Sequence, residues 1–186
     1  MLRVEVWAKP AVTVAIAALA LLLADGRPTS VIICALTAYV CCLLGDVALL
    51  PAVDRFVEGL GAFLLGHVAF IVMFVLLQPH HVAWALAALL GVMVLTWTAG
   101  RRIVAGARSS GPGLAVPVTA YLLVISAMAV VGWSTRSPAA MFGSLAFVVS
   151  DSMIGWSRFV DTRRSLRLPV MVSYHLALLG LALSLA

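Results

Sequence analysis

Apolar residues run along the chain in stretches of about twenty, and polar residues fall in the short gaps between them. A helix that crosses a bilayer needs about 20 such residues. The pattern predicts seven helices, over 7–23, 29–50, 56–77, 82–98, 114–133, 139–156 and 168–186, with eight as the alternative count. Breakers separate them: Asp25-Gly26-Arg27-Pro28 after the first, Pro51 after the second and Gln78-Pro79-His80 after the third. A basic, Gly-rich stretch over 100–113 reads as a loop after the fourth. The expected fold is all-α: one polytopic membrane helix bundle covering 1–186, with no internal repeat.

Composition agrees with lipid as the solvent. The chain is 64% hydrophobic and 10% charged, against roughly 25% charged in soluble domains. No soluble domain fits between the runs. The first two dozen residues look like a secretory signal, but no A-x-A site follows, so they read as a retained first helix. Cys34, Cys41 and Cys42 share one apolar run without metal-type spacing and read as small buried hydrophobes.

Charge adds direction. With seven spans, Arg3, Lys9, Arg55, Arg101, Arg102, Arg108, Arg158, Arg163, Arg164 and Arg167 share one side, and only Arg27 and Arg136 share the other. Ten cations against two place the N-terminus in the cytoplasm. Cations that set orientation leave no case for nucleic acid. The expected location is the cell (plasma) membrane, or the inner membrane of a diderm bacterium. The oligomeric state stays open.

Ionisable residues inside the runs cost roughly 2.5–3.5 kcal/mol each at mid-membrane and need a reason. Asp46 lies near the end of the second helix, with Tyr39 and Cys42 on its face. An ion pair with Lys9 or a nearby Arg is its bland role. His67 lies mid-way along the third helix, with Phe63, Phe70 and Phe74 on its face, and its bland role is that of a merely hydrogen-bonded core histidine. Asp151 follows Ser150 near the end of the sixth, where Arg158 or Arg55 offers a salt bridge. Lys9 can snorkel, Glu58 can be solvated, and Tyr121 and Tyr174 can form an interfacial belt. Direction argues for more. Lys9, Asp46, Glu58, Tyr121, Asp151 and Tyr174 fall in the cytoplasmic half, His67 lies roughly at mid-depth and the outer half is almost purely apolar, which suits a polar cavity opening to the inner leaflet.

The ordered set then resembles a family. Lys9-Pro10, Gly45-Asp46-Val47-Ala48-Leu49, Gly59-x-x-x-Phe63-x-x-Gly66-His67, Tyr121 with Met128, Gly143-x-x-x-Phe147-x-x-Ser150-Asp151 and Tyr174 are similar to the YhhN family, which includes vertebrate transmembrane lysoplasmalogenases. The likeness covers nearly the whole chain. Two positions depart from the pattern: Leu178 stands where a Gln is common and Phe70 where a Tyr is common. The family is often drawn with eight helices.

The resemblance implies hydrolysis of the alkenyl ether of a lysoplasmalogen, giving a fatty aldehyde and glycerophosphocholine or glycerophosphoethanolamine. It carries Asp46, His67 and Asp151 over as catalytic residues, with Lys9, Tyr39, Glu58, Tyr121, Ser150 and Tyr174 as candidates for substrate binding. The partners implied are a lysophospholipid and the membrane. No cofactor and no metal is expected. The chemistry fits two carboxyls. A vinyl ether is protonated on carbon, so an acid must hold its proton near neutral pH. The oxocarbenium ion that follows calls for a negative charge, as in glycosidases. One of Asp46 and Asp151 would be the acid and the other the stabiliser, with His67 handling the water.

Two rivals draw on the same residues, and a third on the count of seven helices alone. A metal-dependent lipid amidase or esterase would use Asp46, His67 and Asp151 as ligands, a poor set for zinc. A transporter or proton-coupled protein would use them as a relay. A retinal protein would need a Lys in the last helix, and 168–186 contains none.

Overall fold

A computed structural model describes residues 2–50, 52–77, 81–111, 113–162 and 166–186, with side chains from residue 8 onward. The predicted breakers Pro51 and Gln78-Pro79-His80, and the cations Arg163 and Arg164, lie outside the described residues. All regular structure among the described residues is helical. The helices are α1 (Leu2–Leu23), α2 (Thr29–Ala48), α3 (Phe56–Leu76), α4 (Val82–Leu95), α5 (Arg101–Ser110), α6 (Ala115–Ser134), α7 (Pro138–Phe159) and α8 (Arg167–Leu183).

The apolar runs became helices largely where the pattern put them, because backbone polar groups in lipid must be satisfied within the segment. One expectation fails. The stretch over 100–113 is not a loop for most of its length. A π-helical turn, Thr96–Gly100, carries α4 without a break into α5, making one rod of 29 residues. Glycines and arginines gave that stretch the look of a loop. Its helical period is nonetheless present: Ile103 and Ala107, four residues apart, are buried while Arg101, Arg102 and Arg108 are exposed. The glycines admit close packing, with Gly106 directly against the backbone of Phe159.

Five rods are long and apolar enough to cross a membrane: Thr29–Ala48, Phe56–Leu76, Val82–Ser110, Ala115–Ser134 and Pro138–Phe159. The apolar part of α1, Ala8–Leu23, and α8 are shorter. The outer surface carries many exposed leucines and valines, such as Leu22, Leu65, Leu90 and Leu123. This is a membrane protein, and those side chains face its lipid.

The helices pack as a closed ring. Going round it, α1 touches α2, α2 touches α3, α3 touches α6, α6 touches α7, α7 touches α8, and α8 returns to α1. The α4–α5 rod lies outside this ring, against α6 and α7, and is the least buried of the five long rods. The α7–α8 crossing is tight because both helices present glycine there. A Cβ on Gly143 would stand 2.7 Å from the Leu181 backbone nitrogen, and one on Gly180 2.7 Å from the Gly143 Cα. The ring encloses one core, from Ile16 and Tyr39 through Phe70 and Phe74 to Leu181. Asp46 and Asp151 break this core toward the end of the bundle that carries Arg55 and Arg158, and His67 breaks it about midway along α3.

Two buried acid clusters and the cavity beside them

Asp46 is fully buried at the end of α2. A carboxylate there needs compensation for lost water, and three groups from two other helices supply it. Lys9 Nζ lies 2.9 Å from Oδ1. Thr13 and Tyr174 donate their hydroxyls to Oδ2, at 2.7 and 2.8 Å. Lys9 and Thr13 lie four residues apart on α1 and so share a face, and Tyr174 comes from α8. The Lys9 ammonium also sits 5.0 Å from the Tyr174 ring centroid and 5.9 Å from that of Phe63. The neighbouring Gly45 lets α3 come close: a Cβ there would stand 2.5 Å from the Phe63 ring.

Asp151, near the end of α7, belongs to a second cluster. Tyr121 of α6 donates its hydroxyl to Asp151 Oδ2. His67 of α3 places Nε2 3.7 Å from the same oxygen, beyond hydrogen-bond reach. His67 is fully buried between the rings of Phe147 and Tyr121, with centroids at 4.5 and 5.4 Å. Neither of its nitrogens has a partner in good hydrogen-bond geometry among the described residues, although the Phe63 backbone one turn back lies within looser reach. A buried polar atom left so costs about 1–3 kcal/mol, and such an exception calls for an explanation.

The clusters are neighbours. Tyr174 meets Phe63 edge-on at 5.8 Å and Phe147 at 5.5 Å, and Phe147 in turn meets His67. A single aromatic layer therefore separates them.

The second cluster borders a cavity. Asp151 and Tyr121 line an apolar space of about 40 Å³. Its walls include Phe63, Leu60, Ile103, Leu122, Gly155 and Phe159. That volume holds a water molecule or two, not a lipid chain. At the arginine-rich end a polar vestibule of about 460 Å³ shares Phe56 and Phe159 with this cavity.

The sequence candidates thus divide. Lys9, Asp46 and Tyr174 come together, as do His67, Tyr121 and Asp151. Glu58 is exposed and lines the vestibule. Tyr39 donates to the Leu178 carbonyl at 2.9 Å and Ser150 to that of Val170 at 3.2 Å, so both hydroxyls tie helices to α8. The pairing of Asp46 with Lys9 realises one of the roles weighed for it. The salt bridge weighed for Asp151 does not form, because Arg158 lies 3.7 Å from Asp54 instead. Thr13 was missed, though its spacing from Lys9 was visible. Among the described residues no group of three His, Cys, Asp or Glu converges as a metal-holding set. The three cysteines are free, and Cys42 is buried.

The fold and the clusters define a polytopic membrane helix bundle with ionisable groups buried between its helices. The chain belongs to the YhhN family, whose model matches residues 4–185. It is 35% identical over 126 residues to a lysoplasmalogenase of Mycobacterium bovis, covering 66% of this chain and 48% of that protein. It is 31% identical over 151 residues to the human lysoplasmalogenase TMEM86B, covering 79% of this chain and 61% of that one. The chain spans about half to three-fifths of the length of these relatives. No solved structure matches it.

Proposed function

We propose that the chain is a membrane hydrolase that cleaves the alkenyl ether bond of lysoplasmalogens, with all seven helical rods in the bilayer and the arginine-rich end in the cytoplasm. The names of the relatives give the reaction. The observation that carries the reading to this chain is the meeting of Asp151, Tyr121 and His67, with Asp151 and Tyr121 on the wall of an apolar cavity.

The geometry favours a division of labour between the two acids. Asp46 has its oxygens engaged by Lys9, Thr13 and Tyr174 and is not among the residues that line the cavity. Asp151 faces the cavity and is the better proton donor. In its acid form it protonates the β-carbon of the vinyl ether, leaving an oxocarbenium ion and an Asp151 carboxylate beside it. The Asp46–Lys9 pair, one aromatic layer away, is neutral as a whole and acts on that cation only through the orientation of its two charges. Water then attacks the cationic carbon and gives up a proton to the Asp151 carboxylate, directly or through His67, whose unpartnered nitrogens suit a water. Asp151 is restored to its acid form. The resulting hemiacetal transfers its hydroxyl proton to the glycerol oxygen and separates into aldehyde and glycerophospho head group.

The test is aldehyde release from a lysoplasmalogen by the purified protein in nanodiscs, compared with Asp151→Asn and Asp46→Asn. The expected result is release by the wild type and its loss in Asp151→Asn. Full activity in both well-folded variants sinks the assignment.

A further inference from the structure

The polar vestibule shares Phe56 and Phe159 with the cavity of the proposed site. It carries two cations, Arg55 and Arg158, and two anions, Asp54 and Glu58. Balanced charge of this kind does not suit a simple anion. It suits a ligand that carries both signs close together.

Arg158 is placed to serve that ligand. It lies seven residues after Asp151 on α7, two turns along one face and roughly 10 Å down the axis. Its guanidinium sits 5.0 Å from the Phe56 ring centroid, and Phe56 packs edge-on against Phe159 at 5.5 Å. These two rings line both hollows and form the seam between them. The present partner of Arg158 is a weak one: Asp54 stands 3.7 Å away, and the two side chains are 50% and 70% exposed. A phosphate offers the guanidinium a bidentate partner that displaces such a contact. Glu58, one turn into α3, lines the same vestibule.

We propose that this vestibule is a head-group subsite for a zwitterionic lysophospholipid, with Arg158 on the phosphate and Glu58 on the ammonium. The glycerol of such a lipid spans the seam of Phe56 and Phe159 with its ether linkage directed toward Asp151, and the 40 Å³ cavity on that side has to widen to admit the linkage and its chain. This assignment rests on the proposed reaction for the identity of the chain-bearing end. Its recognition of the head group stands apart from catalysis.

Binding of non-cleavable 1-alkyl lipids to the protein in nanodiscs tests it. The probes are 1-alkyl-lysophosphoethanolamine, 1-alkyl-lysophosphatidic acid and 1-alkylglycerol. The wild type is expected to bind them in that order of falling affinity. Arg158→Gln is expected to weaken the two phosphate-bearing lipids by about tenfold, the worth of one charge-assisted contact, with the loss confined to them. Glu58→Gln is expected to weaken the ethanolamine lipid alone, by about threefold to tenfold. Equal wild-type affinity for all three probes overturns the subsite. So does an Arg158→Gln variant that weakens all three alike, which marks Arg158 as structural. Aldehyde release from the matching alkenyl lipids, measured in parallel, separates the two ideas. Head-group selection without aldehyde release upholds the subsite and removes the reaction, and release without selection does the reverse.

Discussion

His67 Nε2 stands 3.7 Å from Asp151 Oδ2, close enough to share a proton through one water and too far to take it directly. The two residues come from α3 and α7, which meet across α6, and Tyr121 of α6 donates to the same carboxylate oxygen. A general acid contributes typically 10²–10⁴-fold. Asp151→Asn is therefore expected to lower aldehyde release by at least about a hundredfold. His67→Asn, which removes only a water-handling group, should lower it by about tenfold to a hundredfold. Steady-state rates on monodisperse protein check both. A His67 variant as inactive as Asp151→Asn gives His67 a larger part than water handling.

Tyr121 connects that pair to the cavity, since it bonds to Asp151 and lines the same space. Tyr121→Phe keeps the ring that packs on His67 and deletes the donor. The expected result is an unchanged melting temperature to within a few degrees and a fall in kcat of about tenfold, the worth of one hydrogen bond to a charged group. A large loss of thermal stability with kcat intact assigns the hydroxyl to folding alone.

Lys9 and Asp46 behave differently, because each is the answer to the other's burial. Removing one member of a buried ion pair costs about 3–5 kcal/mol. Lys9→Met and Asp46→Leu are each expected to be strongly destabilised in detergent melts. The double variant should recover much of the loss, since apolar replacement of both partners is often neutral. If the double variant is stable yet inactive, the Asp46 charge itself serves the reaction. If it is stable and active, the pair is a structural tie.

The α7–α8 crossing gives a prediction about packing. A Cβ at Gly143 meets backbone atoms of α8 at 2.7 to 2.9 Å, and backbone does not yield as a side-chain tip does. Gly143→Val is expected to cost about 1–3 kcal/mol, the usual range for overpacking. Gly61→Ala is the control, with nothing within 4 Å of the added atom. It should be neutral or slightly stabilising. Melting curves of the two variants side by side decide the matter.

Much of this could be read in the chain before any coordinates. Stretches of apolar residues with Pro and Gly between them mark helices whatever their neighbours are, because lipid allows no other backbone state. The acids stood out for the same reason, their cost. What could not be read is which residue answers which. Asp46 had Lys9 and several arginines as candidate partners, and only the ring closure of α1 against α2 and α8 selects Lys9 and Tyr174. Arg158 shares a helix face with Asp151 yet pairs with Asp54, a residue in the turn before α3 with φ of 46°. The length of the α4–α5 rod was hidden by composition. Arginine, glycine and serine resemble a loop, and two buried positions in ten residues are a faint helical signal.

The tie at Asp46 also bears on how the protein is made. Lys9, Thr13 and Asp46 all belong to α1 and α2, neighbours along the chain. An Asp or Lys in lipid alone costs roughly 2.5–3.5 kcal/mol, and a hairpin of these two helices that entered a bilayer with the pair formed at 2.9 Å would carry it as a neutral couple. Tyr174 follows 128 residues after Asp46. In chain order its hydroxyl is the last to join the carboxylate, and α8, which carries it, is the helix that meets α1 to complete the ring.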